Sequence, residues 1–493
     1  MEFGLSSLNR KKININSGNK IVFTLMGFGG CNSYLAYELT QIASLSSKNI
    51  DILMIDEDEV TESDILKCKY LHSDINKKRA EVTARRCSAS FNMDIEVFSN
   101  KIKDETDIIG FFDGRMGYLP VIICNNLKEN EIIYLKKAVD KMSDIVVIIA
   151  EEYENTGNVT ITYKENGLYL TDNHLAKYTE KPLPKSNSSK VVNLELSKNI
   201  FLFADEIISE NPISIEEVVF DVKSRKTASR YIGERSINLE KQNSENAIKV
   251  EISDNILMIV IGVGGTGGSL AYELAHLASV SNKNIKLVFI DKDIVEAKNL
   301  VRQRFIMHDL NRYKSDIIAK RCKEAYGVNI VSMSEYIACE EDIYSILQAH
   351  PDYTPIILGC SDSLKLRYLI CQTIKNAKNY FGKNKDIVYI DAGNSVNAGQ
   401  IIFTYIKDGK YITPDQFEIF PQDLEDIDNE KLVTQMSCAE LMVSSPQTKS
   451  ANLAAATGIY SYVHDIIYEN NIETHLTQFN NKNRRIESKF IKK

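Results

Sequence analysis

Short apolar runs recur along this chain, each followed by turn-forming or polar residues. The first runs of two similar sets are IVFTLM (21–26) and ILMIVI (256–261). Later runs are VIIC (121–124), DIVVIIA (144–150), PIILGC (355–360) and DIVYIDA (386–392). Continuous apolar runs of about four to eight residues are typical of strands buried on both faces of a parallel sheet. Because stretches with helical spacing, such as LAYELAHLASV (270–280), lie between them, we predict βαβ units.

The chain contains an internal duplication. Residues 27–87 and 262–322 align without a gap, and 23 of these 61 positions are identical. We therefore predict an α/β protein with two Rossmann-like domains that pair as an intramolecular pseudo-dimer. The predicted division is an inactive domain (1–165), a connecting segment (166–250), an active domain (251–420), and a C-terminal loop with helices (421–493).

Composition excludes several classes of protein. The 493 residues are 44% hydrophobic and 26% charged, as in ordinary globular proteins. Acidic residues outnumber basic ones by 67 to 59, which argues against nucleic acid as a partner. The apolar runs are shorter than the ~20 residues of a membrane span, and the first residues lack a signal-peptide pattern. Nine scattered cysteines without a C-x-x-C pair favour reduced cytoplasmic thiols and no zinc site.

A glycine-rich turn stands between the first strand and first helix of the second copy. Its glycines are Gly262, Gly264, Gly265 and Gly267. Glycine lets a backbone approach a phosphate closely, and the helix N-terminus directs N–H groups and a positive dipole end at the anion. This turn alone is compatible with NAD, FAD or ATP, and also with a tight turn that binds nothing.

The residues after the next strand favour a nucleoside triphosphate. Asp291 ends that strand, where an acid can accept hydrogen bonds from ribose hydroxyls. Two cations and two amides follow within 23 residues: Asn299, Arg302, Gln303 and Lys314. Such a cluster can stabilise charge that develops when an α-phosphate is attacked, whereas a dinucleotide does not need it. The alternative interpretation is a solvated polar helix.

A carboxylate follows a later strand of the same copy. Asp362 is the second residue after PIILGC, at the C-terminal end of the predicted strand. This is a suitable position for a Mg²⁺ ligand beside phosphates. An Asp at this point is equally typical of an N-cap for the following helix.

These elements together resemble the ThiF/MoeB/ubiquitin-activating enzyme superfamily. The family pattern is GxGGxG, D-x-D-x-V, N-L-x-R-Q, a Lys, and an Asp after a later strand. This chain matches it in order with Gly262–Gly267, Asp291/Asp293/Val295, Asn299 to Gln303, Lys314 and Asp362. The resemblance covers about residues 251–405. It implies that Asp291 binds ribose, that Asn299, Arg302 and Lys314 bind phosphates, and that Asp362 binds Mg²⁺.

The resemblance also implies a reaction and two further candidate residues. The family adenylates the C-terminal carboxylate of a ubiquitin-like protein, sulfur carrier or peptide with ATP. In homodimeric relatives an N-terminal arginine reaches the partner's nucleotide site, and Arg10 is the candidate here, with a flexible basic terminus as the alternative. Some members pass the adenylate to a cysteine. Cys438 is the best candidate because it is expected to open a helix, whose dipole lowers a thiol pKa. The alternative is a core or capping thiol. Cys322, Cys360 and Cys371 are expected to be buried.

The first copy departs from the pattern. At the same offset Asn299, Arg302, Gln303, Lys314 and Gly267 correspond to Asp64, Lys67, Cys68, Arg79 and Asn32, and aligning VIIC with ILGC places Asn126 opposite Asp362. We therefore expect the first copy to lack triphosphate chemistry, although it retains Asp56 and three glycines.

Our reading is a cytoplasmic, Mg·ATP-dependent adenylyltransferase. The expected partner is a ubiquitin-like or sulfur-carrier-like protein bound through its C-terminus, and a conjugating enzyme is a further candidate partner. The alternatives are adenylation of a ribosomal precursor peptide in natural-product maturation, and a non-catalytic nucleotide-fold scaffold. Residues such as Arg302 and Asp362 speak against the scaffold, because a scaffold does not need them.

Overall fold

The computed structural model describes residues 10–179, 188–239, 247–377, 386–425, 427 and 447–491. They fall into two compact units. The first unit is Met1–Glu240 with Asn483–Arg485, and the second unit is Lys241–Lys482 with Ile486–Lys493. Among the described residues, no helix combines the length and apolar character that a membrane span requires.

The first unit is built on nine strands and six helices within its described ranges. The strands are β1 (Lys20–Met26), β2 (Asn49–Ile55), β3 (Glu96–Phe98), β4 (Leu119–Asn125), β5 (Ile145–Glu152), β6 (Thr156–Glu165), β7 (Leu168–Tyr169), β8 (Ile215–Asp221) and β9 (Lys226–Tyr231). The helices are α1 (Asn32–Leu45), α2 (Glu62–Lys67), α3 (Arg79–Phe91), α4 (Glu105–Gly110), α5 (Glu129–Lys141) and α6 (Lys190–Ile208).

The sheet of the first unit is parallel on one side and antiparallel on the other. The order β3-β2-β1-β4-β5 is parallel throughout. Strands β6, β8 and β9 then continue it antiparallel. From β1 the chain first adds β2 and β3 on one side and then β4 and β5 on the other. The gap between β1 and β4 is therefore the switch point, where doubly wound folds bind ligands.

The second unit repeats this plan. Its strands are β10 (Ile248–Lys249), β11 (Asn255–Ile261), β12 (Asn284–Ile290), β13 (Ile330–Met333), β14 (Thr354–Gly359), β15 (Ile387–Asn394), β16 (Ala398–Lys407), β17 (Lys410–Tyr411), β18 (Asn471–Ile472), β19 (Thr474–Asn480) and β20 (Arg485–Phe490). Its helices are α7 (Gly265–Val280), α8 (Lys314–Tyr326), α9 (Glu340–Gln348), α10 (Leu364–Asn376), α11 (Gln416–Ile419) and α12 (Lys449–His464). The parallel order is β13-β12-β11-β14-β15, followed by antiparallel β16 and β19.

The strand registers confirm the duplication and correct one detail of the sequence alignment. Ile21 of β1 pairs with Leu119 of β4, and Ile256 of β11 pairs with Thr354 of β14, so both pairs keep the offset of 235. The same offset places Leu127, not Asn126, opposite Asp362. The alignment of VIIC with ILGC was wrong by one residue because the apolar letters of a buried strand do not define its register.

The duplication also includes the C-terminal part of each unit, at a different offset. Helices α6 and α12 correspond at an offset of 259, and their N-caps Ser189 and Thr448 both accept a hydrogen bond from the third residue beyond. The backbone bridge Ile13–Ile213 has its counterpart in β10–β18, where Ile248 pairs with Ile472. Residues 188–232 therefore repeat as 447–491.

Each unit has its own apolar core on the parallel part of its sheet. In the first unit, β4, β5 and α5 contribute Ile122, Val147 and Leu135, all at most 1% exposed. In the second unit, β11, β14 and α10 contribute Ile259, Ile357 and Ile370, also at most 1% exposed. Strands that are apolar on both faces require helices on both sides, which places the polar side chains of both units at the strand ends.

Candidate active site

The glycine turn of the second unit is shaped by contacts that exclude side chains. Gly262 follows β11 with φ +90°, a conformation that L-residues rarely adopt. A Cβ on Gly267 would lie 1.9 Å from the carbonyl oxygen of Gly262. Helix α7 begins at Gly265, so its first N–H groups have no partner within the helix. The turn therefore offers backbone donors that can receive a phosphate.

Asp291, at the end of β12, holds the turn from one side. Its Oδ2 accepts a hydrogen bond from the Val263 amide at 2.8 Å, and its Oδ1 accepts one from the Asp293 amide at 2.9 Å. Burial raises the pKa of the Asp291 carboxyl, while Lys314 acts against this shift. A carboxylate has about four acceptor positions, so two backbone bonds leave capacity for a ribose hydroxyl.

The cations of the predicted cluster differ in their partners. Lys314 begins α8, its side chain is 8% exposed, and its Nζ lies 3.0 Å from Asp293 Oδ2. Arg302 lies in the turn after a short 3₁₀ helix and is half-buried. Its guanidinium makes neither a hydrogen bond nor an ion pair with any residue that the structure describes. Arg302 is thus a cation without a counter-ion in that part of the chain.

The two amides of the cluster lie in the same loop. Asn299 is 3% exposed, and its Oδ1 accepts the Glu296 amide at 2.9 Å, which closes the 3₁₀ turn. Gln303 places its side chain beside the turn, because a Cβ on Gly264 would lie 3.6 Å from Gln303 Nε2. One amide thus shapes the loop and the other faces the glycines.

Asp362 is available as a metal ligand. It is exposed in the loop after β14, and the cap of α10 is Ser363, whose Oγ accepts the Leu366 amide at 3.3 Å. The N-cap alternative for Asp362 is therefore excluded. Its Oδ1 accepts a hydrogen bond from Gln447 Nε2 at 2.7 Å. An exposed carboxylate at a strand end suits Mg²⁺, which takes one or two protein carboxylates together with phosphates and water.

A buried ion pair supports this loop from below. Arg367 on α10 lies 3.3 Å from Asp391 Oδ2 and donates at 2.8 Å to each of the carbonyl oxygens of Ser361 and Ala392. Both partners are nearly inaccessible, at 6% and 1% exposure. The pair fixes the residue before Asp362, and nothing in the local sequence indicates the partnership, since β15 supplies Asp391.

Several predicted residues lie elsewhere or outside the described part. The guanidinium of Arg10 stacks 3.5 Å over the ring of Tyr231, within the first unit. Cys438 lies outside the described residues. Cys322 and Cys371 are buried as expected, but Cys360 is partly exposed because it follows the end of β14. Burial nevertheless raises the pKa of the Cys360 thiol.

The first unit keeps the acid of this site and changes its surroundings. Asp56 accepts hydrogen bonds from the Phe28 and Asp58 amides at 2.6 and 2.8 Å, as Asp291 does in the second unit. Arg79 pairs with the buried Asp64 at 2.8 Å, and a Cβ on Gly29 would lie 3.1 Å from Arg79 Nη1. Asp64 and Arg79, which correspond to Asn299 and Lys314, thus form a salt bridge with each other. A small open cleft remains beside Asp56, and Arg79 and Asn126 also line it.

Side-chain oxygens occupy the start of the first-unit helix. Asn125 Oδ1 accepts the Cys31 amide at 3.0 Å, which satisfies a donor that a phosphate would need. A Cβ on Gly30 would lie 2.3 Å from Asn125 Oδ1 and 2.9 Å from Glu152 Oε2. Burial raises the pKa of the Glu152 carboxyl. Two of the three atoms nearest to this Cβ are acceptors, which would repel a phosphate, and the third is the donor Asn126 Nδ2 at 2.9 Å. Leu127 stands at the position that corresponds to Asp362.

One cluster of possible metal ligands is an ion-pair network instead. Asp172, His174 and Glu216 approach one another within 4.8 Å. The guanidinium of Arg230 donates to both carboxylates, at 2.9 Å to Asp172 and 2.5 Å to Glu216. Burial, with help from nearby Lys177 and Arg230, lowers the pKa of His174 to about 4. A guanidinium between the carboxylates leaves no place for a cation.

The second unit has an α/β fold with a glycine turn at the switch point of its parallel sheet, an arrangement typical of nucleotide-binding folds. The chain belongs to the ThiF family, whose model matches residues 241–492. Both the family and the α/β fold predicted from the sequence are thus confirmed. The predicted pairing of the two domains as a pseudo-dimer stays a prediction.

Several solved structures are similar to part of this chain. A crystal structure of E. coli MccB with succinimide is 16% identical over 48% of this chain and 64% of that chain, with a TM-score of 0.36. A crystal structure of E. coli MccB with ATP is 18% identical over the same shares, also at 0.36. PaaA is 17% identical over 48% of this chain and 74% of that chain, at 0.37. This chain thus spans less than two thirds of the MccB chain. None of the curated proteins compared with it matches.

Proposed function

We propose that the predicted domain 251–420 uses ATP to adenylate a C-terminal carboxylate on a peptide or small protein. The observation that supports this is the contrast at the helix start. In the second unit the glycine turn keeps backbone donors available, and Arg302 is a cation without a described counter-ion. In the first unit Asn125 takes a donor and Arg79 is paired. Only the second arrangement suits a triphosphate.

The reaction is a substitution at the α-phosphorus. The substrate carboxylate oxygen forms a bond to phosphorus, the bond to the bridging α–β oxygen breaks, and pyrophosphate leaves with that electron pair. The amides of Gly265 to Gly267 bind phosphate oxygens, and Arg302 and Lys314 offset the negative charge that develops. Asp291 orients the ribose. Mg²⁺ held by Asp362 would add charge neutralisation on the phosphates.

The acceptor class is open between two candidates that share the same chemistry. A ubiquitin-like or sulfur-carrier-like protein and a ribosomal precursor peptide both present a free C-terminal carboxylate. Cys438 adds a second step for the protein acceptor. Its thiolate would attack the acyl carbon, forming a thioester as the acyl–phosphate bond breaks and AMP leaves.

The test measures pyrophosphate release from Mg·ATP by the full chain. The acceptors are synthetic C-terminal segments of the small proteins and peptides encoded beside the gene, each made as the free acid and as the C-terminal amide. We expect release with at least one free acid and none with its amide, because the amide lacks the nucleophile. Equal release with both forms would contradict carboxylate adenylation. A full chain that binds no Mg·ATP would instead favour the scaffold.

A further inference from the structure

Helix α12 brings one buried amide side chain to the glycine turn. Asn452 lies in the first turn of this helix and is 2% exposed. A Cβ on Gly265 would lie only 2.1 Å from Asn452 Nδ2. The carboxamide therefore occupies the space that the glycine leaves, directly beside the first N–H groups of α7. No step of the mechanism above uses this residue.

The orientation of the carboxamide is set by two hydrogen bonds to its oxygen. Oδ1 accepts from Asn394 Nδ2 at 2.9 Å and from Thr266 Oγ1 at 3.3 Å. Nδ2 donates to no residue within the described part of the chain. Because Asn452 is 2% exposed, a donor at this place without a described partner is suited to an acceptor on a bound ligand.

The first unit provides an internal comparison for this arrangement. Asn193 is the residue of α6 that corresponds to Asn452, and it too is buried. Its Nδ2 donates to the Lys67 carbonyl oxygen at 3.1 Å and to Ser188 Oγ at 3.5 Å. At Gly30, which corresponds to Gly265, the nearest atom to an added Cβ is an acceptor oxygen of Asn125. The same helix thus presents an available donor in one unit and a satisfied one in the other.

We propose that Asn452 donates a hydrogen bond from Nδ2 to a phosphate oxygen of the nucleotide bound at the Gly262–Gly267 turn. The proposal rests on the proposed function for the identity of the ligand as ATP. It adds a phosphate ligand from the C-terminal part of the chain, outside the glycine, lysine and arginine motifs. It also explains why position 265 is glycine, since any side chain would displace the carboxamide.

The test compares nucleotide and nucleoside binding in the full chain. Asn452→Ala and Asn452→Asp are titrated with Mg·ATP by calorimetry, and with adenosine by its displacement of a fluorescent ATP analogue. A hydrogen bond to a charged group corresponds to about a 10- to 150-fold change in affinity. We expect a loss of this size for Mg·ATP in Asn452→Ala, a larger loss in Asn452→Asp, and adenosine affinity within about twofold. Asn193→Ala and Asn193→Asp are the matched controls, and their Mg·ATP affinity should not change.

Two results would overturn the proposal. Unchanged Mg·ATP affinity in both Asn452 variants would show that Nδ2 does not bind the nucleotide. Equal weakening of Mg·ATP and adenosine would show that Asn452 only supports the packing of α12. If these variants do not fold, Gly265→Ala gives a second test, because its methyl group would push the carboxamide away and should weaken Mg·ATP selectively. Wild-type binding of Mg·ATP without pyrophosphate release would contradict the proposed function and leave this inference intact.

Discussion

Arg302→Ala is the most direct test of the proposed phosphate site. The guanidinium is half-buried, follows the Asn299 turn, and has no counter-ion among the described residues. Its removal therefore leaves no protein group unpaired in that part of the chain. We expect the free energy of unfolding to change by no more than about 0.5 kcal/mol.

The effect on catalysis should be much larger than the effect on stability. A charge-stabilising group of a preorganised site contributes about 10²- to 10³-fold to kcat, or about 2.7–4 kcal/mol. Because the Arg302 guanidinium has no described hydrogen-bond partner and can bind phosphate oxygens, we expect the loss of kcat in Arg302→Ala to fall within this range. The free energy of Mg·ATP binding should fall by about 1.5–3 kcal/mol, as expected for a hydrogen bond to a charged group.

The assay is ATP–pyrophosphate exchange in the presence of the free-acid acceptor identified above. Lys67→Ala is the matched control, because Lys67 occupies the corresponding position in the first unit and should not affect exchange. Urea unfolding of both variants separates loss of activity from loss of fold. Near-normal exchange in Arg302→Ala would refute the placement of the site, and so would equal losses in both variants.

Three further predictions concern other parts of the chain. Burial lowers the pKa of His174 to about 4, so neutral His174 stabilises the fold above about pH 6.5, and this stabilisation is lost as the pH falls toward 4. In urea unfolding over this pH range, the free energy of unfolding of wild type should fall by up to about 3 kcal/mol more than that of His174→Gln. Parallel pH profiles would contradict this prediction. Asp64→Ala leaves Arg79 without its closest carboxylate and should lower the free energy of unfolding, measured with urea, by about 3 kcal/mol. An effect below about 1 kcal/mol would mean that the pair is not buried in solution. Cys438→Ala should still release pyrophosphate, but a non-reducing gel should show no thiol-sensitive covalent species between enzyme and acceptor. The control Cys339→Ala removes an exposed thiol and should form this species as wild type does. Persistence of the species in Cys438→Ala would exclude Cys438 as the nucleophile.

Much of the fold could be predicted from the order of apolar runs and glycines. The offset of 235 fixed the correspondence of β1 with β11, and the structure gives both the same partners and registers. The matching acids Asp56 and Asp291 also make the same two backbone hydrogen bonds. These features are local, since a buried strand, a turn and a helix start each leave a direct pattern in the residues.

The second half of the duplication was harder to recognise. Between 188–232 and 447–491, 14 of 45 positions are identical, including Asn193 and Asn452, but only at an offset of 259 and not at the offset of 235 found for the glycine turns. In these elements the two copies also share a set of packing contacts, and these contacts do not appear as a motif in the sequence. Gly157 and Gly399, for example, each face a phenylalanine ring of the neighbouring strand, at 2.4 and 2.6 Å from an added Cβ. A pattern of single contacts of this kind is visible only after the strands are paired.

The sequence by itself determined the duplicated α/β plan, the glycine turn, the acid Asp291 beside it, and the set of cations and amides that distinguishes the second copy. Only the tertiary structure decided which atoms stand at each helix start. Asn452 and Glu152 reach the glycines from α12 and from the end of β5, which are far from those glycines in the chain. The atom nearest to an added Cβ is the donor Asn452 Nδ2 at Gly265 and the acceptor Asn125 Oδ1 at Gly30, and we expect the two turns to differ in their affinity for a phosphate. That difference arises because folding brings distant polar side chains to the same strand ends, where their identity, and not the glycine motif, sets the local charge.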